Sequence, residues 1–158
     1  MTENTKKNNW MYWIATCFGL GYLPAVPGTW GTFGGIALYL LLIVISSSSL
    51  FYILAVLIAF IIGCWICEKV AQDMKVYDHG SVVWDEVVGY CISMFALPHT
   101  FFWITAGFIL FRIFDIIKPW PIVLVDEKMK SGFGMMLDDV LAGIEVCFIL
   151  HILHVFIR

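Results

Sequence analysis

Five carboxylates lie inside or directly beside the most apolar stretches of this chain: Asp85, Glu86, Asp115, Asp138 and Asp139. Charge at membrane depth is costly, so acidic residues in such places mark a functional site by default. Several together repel one another and call for a shared partner. A divalent cation held through oxygen is the simplest. Arg112 and Lys118 sit three residues either side of Asp115, so the same region can also hold an anion. A phosphate suits guanidinium and ammonium donors best.

The acidic residues fall in three segments, each with a structural reading beside the chemical one. Asp85 and Glu86 are adjacent, so on a helix they diverge by about 100°. One is expected to bind metal while the other meets a second metal, a water or a basic group. The structural reading is a helix start with acid on the positive end of its dipole. Arg112, Asp115 and Lys118 line one helical face, either as a salt-bridge ladder or as a phosphate clamp. Pro119 ends that helix. Asp138 and Asp139 open an apolar helix; a capping role explains one of them well and the second poorly. Ala142 and Gly143 just beyond them permit close helix packing, and Glu145 is a supporting or packing residue. A fourth segment carries no acid. Gly19 to Thr32 is a Gly/Pro-rich loop in which Thr29 or Thr32 can cap the following helix. The N–H groups of such a helix start suit a phosphate.

Other candidates are weaker. Cys64-Trp-Ile-Cys67 has redox or zinc spacing but no second ligand pair, so its thiols read as buried and inert. None of the five cysteines begins a C-x5-R phosphatase loop. His79, His99, His151 and His154 read as loop or interfacial residues.

The elements that position these groups are helical and membrane-embedded. Hydrophobic residues make up 61% of the chain and charged residues 13%, against roughly 45–50% and about 25% in soluble proteins. The expected fold is all-α: one bundle across residues 1–158, polytopic, built from helical hairpins. A soluble bundle with a greasy core is the structural alternative. With a net charge of −3 and no basic cluster, nucleic acid is not a partner. Apolar runs at 31–45 and 50–67 form a hairpin turning at Ser46–Ser49. Runs at 87–97 and 101–114 form a second, shorter hairpin bent near Pro98, expected not to cross the bilayer. Residues 140–157 make the last apolar helix. Residues 68–84 and 118–134 are polar connections. Trp10, Tyr12 and Trp13 suit an interfacial belt. Placing Lys6/Lys7, Lys69/Lys75 and Lys118/Lys128/Lys130 on the cytoplasmic side, with Arg158 outside, brings every acidic motif to one cytoplasmic surface.

Four strings together resemble the phosphatidylglycerophosphatase A family: Gly-Tyr-Leu-Pro…Val-Pro-Gly-Thr-Trp-Gly, Asp-His-Gly-Ser-Val-Val-Trp-Asp-Glu, Phe-Arg-Ile-Phe-Asp-Ile-Ile-Lys-Pro-Trp-Pro-Ile and Gly-Phe-Gly-Met-Met-Leu-Asp-Asp-Val-Leu-Ala-Gly. They stand in family order and span nearly the whole chain. Thr32 and Met135 replace an expected serine and isoleucine. The resemblance implies a multi-pass enzyme of the bacterial cytoplasmic (inner) membrane, its site facing the cytoplasm. Its activity would be magnesium-dependent hydrolysis of phosphatidylglycerophosphate to phosphatidylglycerol. On that reading Asp85, Asp115 and Asp139 are catalytic, and Asp85, Glu86, Asp138 and Asp139 hold Mg2+. Arg112, Lys118, Thr29 and Thr32 bind the phosphate. Attack by a magnesium-bound water and attack through a phospho-aspartate both remain open. The rival from another class is a cation-coupled transporter, which predicts carboxylates spread through membrane depth. A lipid phosphotransferase would carry an Asp-Gly-x2-Ala-Arg run, which is absent.

Overall fold

The computed structural model describes residues 9–77 and 79–157. Lys6, Lys7, Asp78 and Arg158, which enter the charge and motif arguments above, lie outside them. Among the described residues there are seven α-helices and no strand: α1 (Asn9–Ala15), α2 (Pro27–Ile45), α3 (Ser49–Met74), α4 (Trp84–Ser93), α5 (Phe101–Ile117), α6 (Ile122–Lys128) and α7 (Gly132–Ile157).

Helices α2, α3 and α7 are long and apolar enough to cross a membrane. At about 1.5 Å per residue they span roughly 28 to 39 Å, against a hydrocarbon core of about 30 Å. The first hairpin is as expected. Pro27 opens α2, where its missing N–H costs nothing. Ser46 is extended and stops α2, and the Ser48 hydroxyl accepts from the Phe51 N–H at the start of α3.

The second hairpin, α4 and α5, also forms. It is inserted among the long helices, with α4 packed chiefly on α7 and α2. Tyr52 donates to the Cys91 carbonyl at 2.6 Å and Tyr90 to the Ile104 carbonyl at 3.0 Å, tying α3 to α4 and α4 to α5. The hairpin's tip lies near the serine turn: Ser46–Ser49 share a cavity wall with Ala96, Leu97 and His99, and the Tyr39 hydroxyl of α2 lies 2.6 Å from His99 Nδ1. Trp10 and Trp13 are exposed on α1, as an aromatic belt would require, whereas Tyr12 is half-buried against the core.

Three expectations are corrected. Helix α3 runs on to Met74 rather than ending at Cys67. The connection at 118–134 contains a helix, α6, anchored by the buried Ile122 and packed on α7. Helix α7 begins at Gly132, so Asp138 and Asp139 lie well inside it and cap nothing. The Glu68 carboxylate of α3 accepts from the Gly132 N–H and holds that helix start instead.

Candidate active site

The helix ends that carry the four motifs gather at one end of the bundle. There they enclose a cavity of about 280 Å³ lined by Pro27 and Gly28 of α2, Asp85 and Glu86 of α4, Arg112, Asp115 and Lys118 at the end of α5, and Asp138 and Asp139 of α7. Asp126 of α6 and Tyr77 and Gly80 of the α3–α4 loop complete the wall. Six carboxylates thus face two basic groups.

Asp85 and Asp139 meet because α4 and α7 cross at glycines. A side chain on Gly89 would come within 2.7 Å of the Asp139 carbonyl, and one on Gly143 would strike the Gly89 carbonyl. Asp85, Glu86 and Asp139 each present one oxygen, all within 4.8 Å of one another. The helical divergence expected of Asp85 and Glu86 therefore does not keep them apart. Their side chains are long enough to converge on a point between α4 and α7.

Burial of these groups is deep. Asp85 is 8% exposed and Asp139 4%. Burial, reinforced by the neighbouring Glu86 charge, raises the Asp85 carboxyl well above the usual range. Glu86 is pushed up to about 7, chiefly by burial, against the opposing pull of a hydrogen bond from Asp85 and of the Arg112 charge. Glu86 Oε2 and Arg112 Nε are buried without a hydrogen-bond partner.

The Arg112–Asp115–Lys118 ladder forms only in its first half. Arg112 is ion-paired with Asp115 and lies 3.9 Å from Glu86. Lys118 adopts a left-handed conformation at the α5 C-cap, φ 47° and ψ 63°, which swings its side chain off the helical face. Its Nζ lies 2.7 Å from Asp126 Oδ1 and 2.7 Å from Asp138 Oδ2. Burial works against the ammonium charge, but these two hydrogen bonds outweigh it and raise the Lys118 pKa. Asp138 thus faces Lys118 and stands outside the carboxylate trio, so three of the four expected metal-site residues come together.

Neither Thr29 nor Thr32 lines the cavity. Thr32 is fully buried, and its hydroxyl donates back to the Gly28 carbonyl at 2.8 Å, so it does not cap α2. The residues of the loop that do reach the cavity are Pro27 and Gly28. A Cβ on Gly28 would meet the Glu86 carboxylate and both terminal nitrogens of Arg112, at 2.7 and 2.9 Å from the latter. Gly28, Asp126 and Tyr77 are among the wall residues that the sequence reading passed over. Glu145 lies further along α7 and is not part of the wall. Nor are His79, His99, His151 and His154, which were left out of the ligand set. None of the five cysteines is in a disulfide.

A family model described as phosphatidylglycerophosphatase A matches residues 13–154. The chain is 45% identical over 150 residues to phosphatidylglycerophosphatase A of Haemophilus influenzae, covering 91% of each chain. It is 41% identical over 140 residues to phosphatidylglycerophosphatase A of Escherichia coli, covering 88% of this chain and 80% of that one. A Bacteroides thetaiotaomicron protein named provisionally as a phosphatidylinositol-3-phosphatase is 40% identical over 138 residues, covering 83% and 85%. No solved structure matches the chain. With all four of its sequence signatures drawn to one acidic cavity and a match extending over most of its length, this chain belongs to the phosphatidylglycerophosphatase A family of phosphatases.

Proposed function

We propose that the protein hydrolyses the terminal phosphate of phosphatidylglycerophosphate, giving phosphatidylglycerol and inorganic phosphate, with magnesium as cofactor, at the cytoplasmic face of the bacterial inner membrane. The observation that carries this reading is the meeting of all four motifs at one cavity, where Arg112 and Lys118 sit among six carboxylates. The transporter alternative is not favoured, since its carboxylates would be spread along the bundle and these gather at one end.

The donor set fits a hard cation. Asp85, Glu86 and Asp139 offer oxygen only and converge, Glu86 Oε2 lacks a partner, and carboxylates outnumber basic groups at the cavity wall. Magnesium prefers oxygen ligands and keeps several waters. Asp85, Glu86 and Asp139 would hold it. When bound, it neutralises charge on the phosphoryl group and acts as a Lewis acid.

The remaining chemistry belongs to the protein's own side chains. Arg112 presents its planar fork to the phosphoryl oxygens, oriented by Asp115. Lys118 offers a further N–H from the opposite wall. Asp115, the catalytic carboxylate outside the metal trio, would take a proton from the attacking water. That attack forms a new P–O bond, and the bond from phosphorus to the glycerol oxygen breaks. The leaving oxygen takes up a proton from water and Asp115 returns its own to water, so phosphatidylglycerol departs as a neutral alcohol at that position. The Gly28 end of α2 brings a helix start to the same wall, where a backbone N–H and the helix dipole favour an anion.

The direct test is phosphate release from phosphatidylglycerophosphate by the purified protein with magnesium, with magnesium plus excess chelator, and with phosphatidylinositol 3-phosphate as the competing substrate. Release from the first lipid that stops in chelator supports the reading. Undiminished release in chelator defeats its metal part, and no release at all defeats the whole.

A further inference from the structure

Helix α6 contributes a carboxylate to the cavity that none of the four motifs contains. Asp126 meets Lys118 Nζ at 2.7 Å from one side while Asp138 meets it at 2.7 Å from the other. The two carboxylates differ in setting: the Asp138 side chain is 9% exposed and that of Asp126 31% exposed. One therefore lies deep against α7 and the other toward the cavity mouth.

Asp126 is not a loose surface group. Its helix is pinned by the fully buried Ile122 and packs on α7. Lys130 donates to the Asp126 backbone carbonyl at 2.7 Å, and the same ammonium lies 5.2 Å above the Tyr77 ring. Tyr77 in turn donates to the Met129 carbonyl at 2.8 Å. The end of α6 is braced against the α3–α4 loop.

Lys118 needs such bracing. It is a non-glycine residue in the left-handed region, and its four-carbon stem is flexible. Held by Asp138 alone, its ammonium would be drawn toward α7 and off the position it takes between the two carboxylates. Two opposed acceptors fix it between them. An ammonium has three N–H donors; two are committed, and the third is left for the cavity.

We propose that Asp126 is a positioning residue for the phosphatase reaction: with Asp138 it suspends the Lys118 ammonium at the cavity wall, aimed at the substrate's phosphate. This rests on the reading of the cavity as a phosphate site. Asp126 touches neither the carboxylate trio nor Arg112, and acts through Lys118.

The test is a double-mutant cycle on the purified full-length protein. Kinetics on phosphatidylglycerophosphate are measured together with the rise in thermal midpoint produced by inorganic phosphate in the presence of magnesium. Asp126→Ala is expected to lower kcat/KM by about tenfold to a hundredfold, the scale of a misplaced group at a reacting centre. Asp126→Asn, which keeps an acceptor oxygen and the side-chain volume, is expected to recover part of that loss. In a Lys118→Met background, Asp126→Ala should change kcat/KM by no more than about twofold, because coupled residues do not add. The phosphate-induced shift should shrink in Asp126→Ala and vanish in Lys118→Met. Multiplying effects in the double variant, or wild-type kinetics in Asp126→Ala, overturn the proposal. If the wild type releases no phosphate from this lipid but the phosphate-induced shifts keep the stated pattern, the substrate reading fails and the positioning role stands.

Discussion

Gly143 of α7 lies directly against the backbone carbonyl of Gly89 of α4. No side chain separates the two helices at this crossing, and the carboxylates of Asp85 and Asp139 converge on its cytoplasm-proposed end with Glu86. Gly143→Val is expected to push the helices apart and cost about 1–3 kcal/mol of stability. Activity should fall by more than the loss of folded protein explains. Kinetics and thermal midpoint on the same preparation check this, and an unchanged specific activity would refute the role of the crossing.

The carboxylate trio and Asp138 should behave differently. Asp85→Asn and Asp139→Asn are expected to cut turnover by roughly a hundredfold or more, the order seen when a key electrostatic group is removed. They should also abolish any rise in thermal midpoint on adding magnesium. Asp138→Asn should impair kinetics while keeping the magnesium-induced rise, because Asp138 serves Lys118. Loss of the magnesium response in Asp138→Asn would return this residue to the metal set.

The raised pKa of Glu86 predicts a pH dependence of stability. Its folded value of about 7 lies above its ordinary value of 4.5, so between these limits the folded protein binds more protons than the unfolded one. Stability then falls as pH rises through that window. In chelator, the thermal midpoint should drop from about pH 5 to about pH 7.5. Magnesium favours the ionised carboxylates, so it should flatten or reverse the slope. A midpoint that rises with pH in chelator would show that Glu86 is not the group in control.

Arg112→Lys keeps the charge and loses the planar fork and its pairing with Asp115. It is expected to lower kcat/KM by about tenfold or more, by analogy with the loss of one charged hydrogen bond of about 1.5–3 kcal/mol. Gly28→Ala intrudes on the same guanidinium and should raise KM in the same sense. Normal kinetics in both would place the phosphate elsewhere.

The orientation of the bundle is testable by labelling single cysteines introduced at Ser131, beside the cavity, and Ser47, in the opposite turn, in a cysteine-free background. Ser131 should react from the cytoplasmic side and Ser47 from the other. The opposite pattern would invert the proposed topology.

The sequence reading succeeded where its signals were unambiguous. Apolar runs interrupted by Ser46–Ser49 and Pro98 marked both hairpins, and carboxylates in apolar surroundings marked the cavity. It failed where short-range signals competed. Pro119, Pro121 and the charged residues around Lys128 read as a connection and hid the apolar run Ile122-Val-Leu-Val that forms α6, and Asp126 was lost with it. Gly132 and Gly134 read as loop residues. They are the first turn of α7, small because that turn is pressed against Glu68 and Met129. Helical spacing placed Lys118 with Asp115, but the left-handed C-cap turns it toward α6 and α7, a backbone event that spacing cannot show. Of the loop in which Thr29 and Thr32 were expected to serve, it is Pro27 and Gly28 that reach the cavity wall, while the Thr32 hydroxyl turns back to the Gly28 carbonyl.

The position of the cavity at the helix ends has a further consequence for the proposed reaction. The apolar stretches of α2 and α7 begin directly beyond their cavity residues, so the two products part into different phases. The diacylglycerol moiety stays in the bilayer and diffuses sideways, while inorganic phosphate passes into water. Neither product meets the other again at the concentration at which it formed. Excess water already drives the hydrolysis forward, and the parting of the products lets each leave without crossing the other's phase.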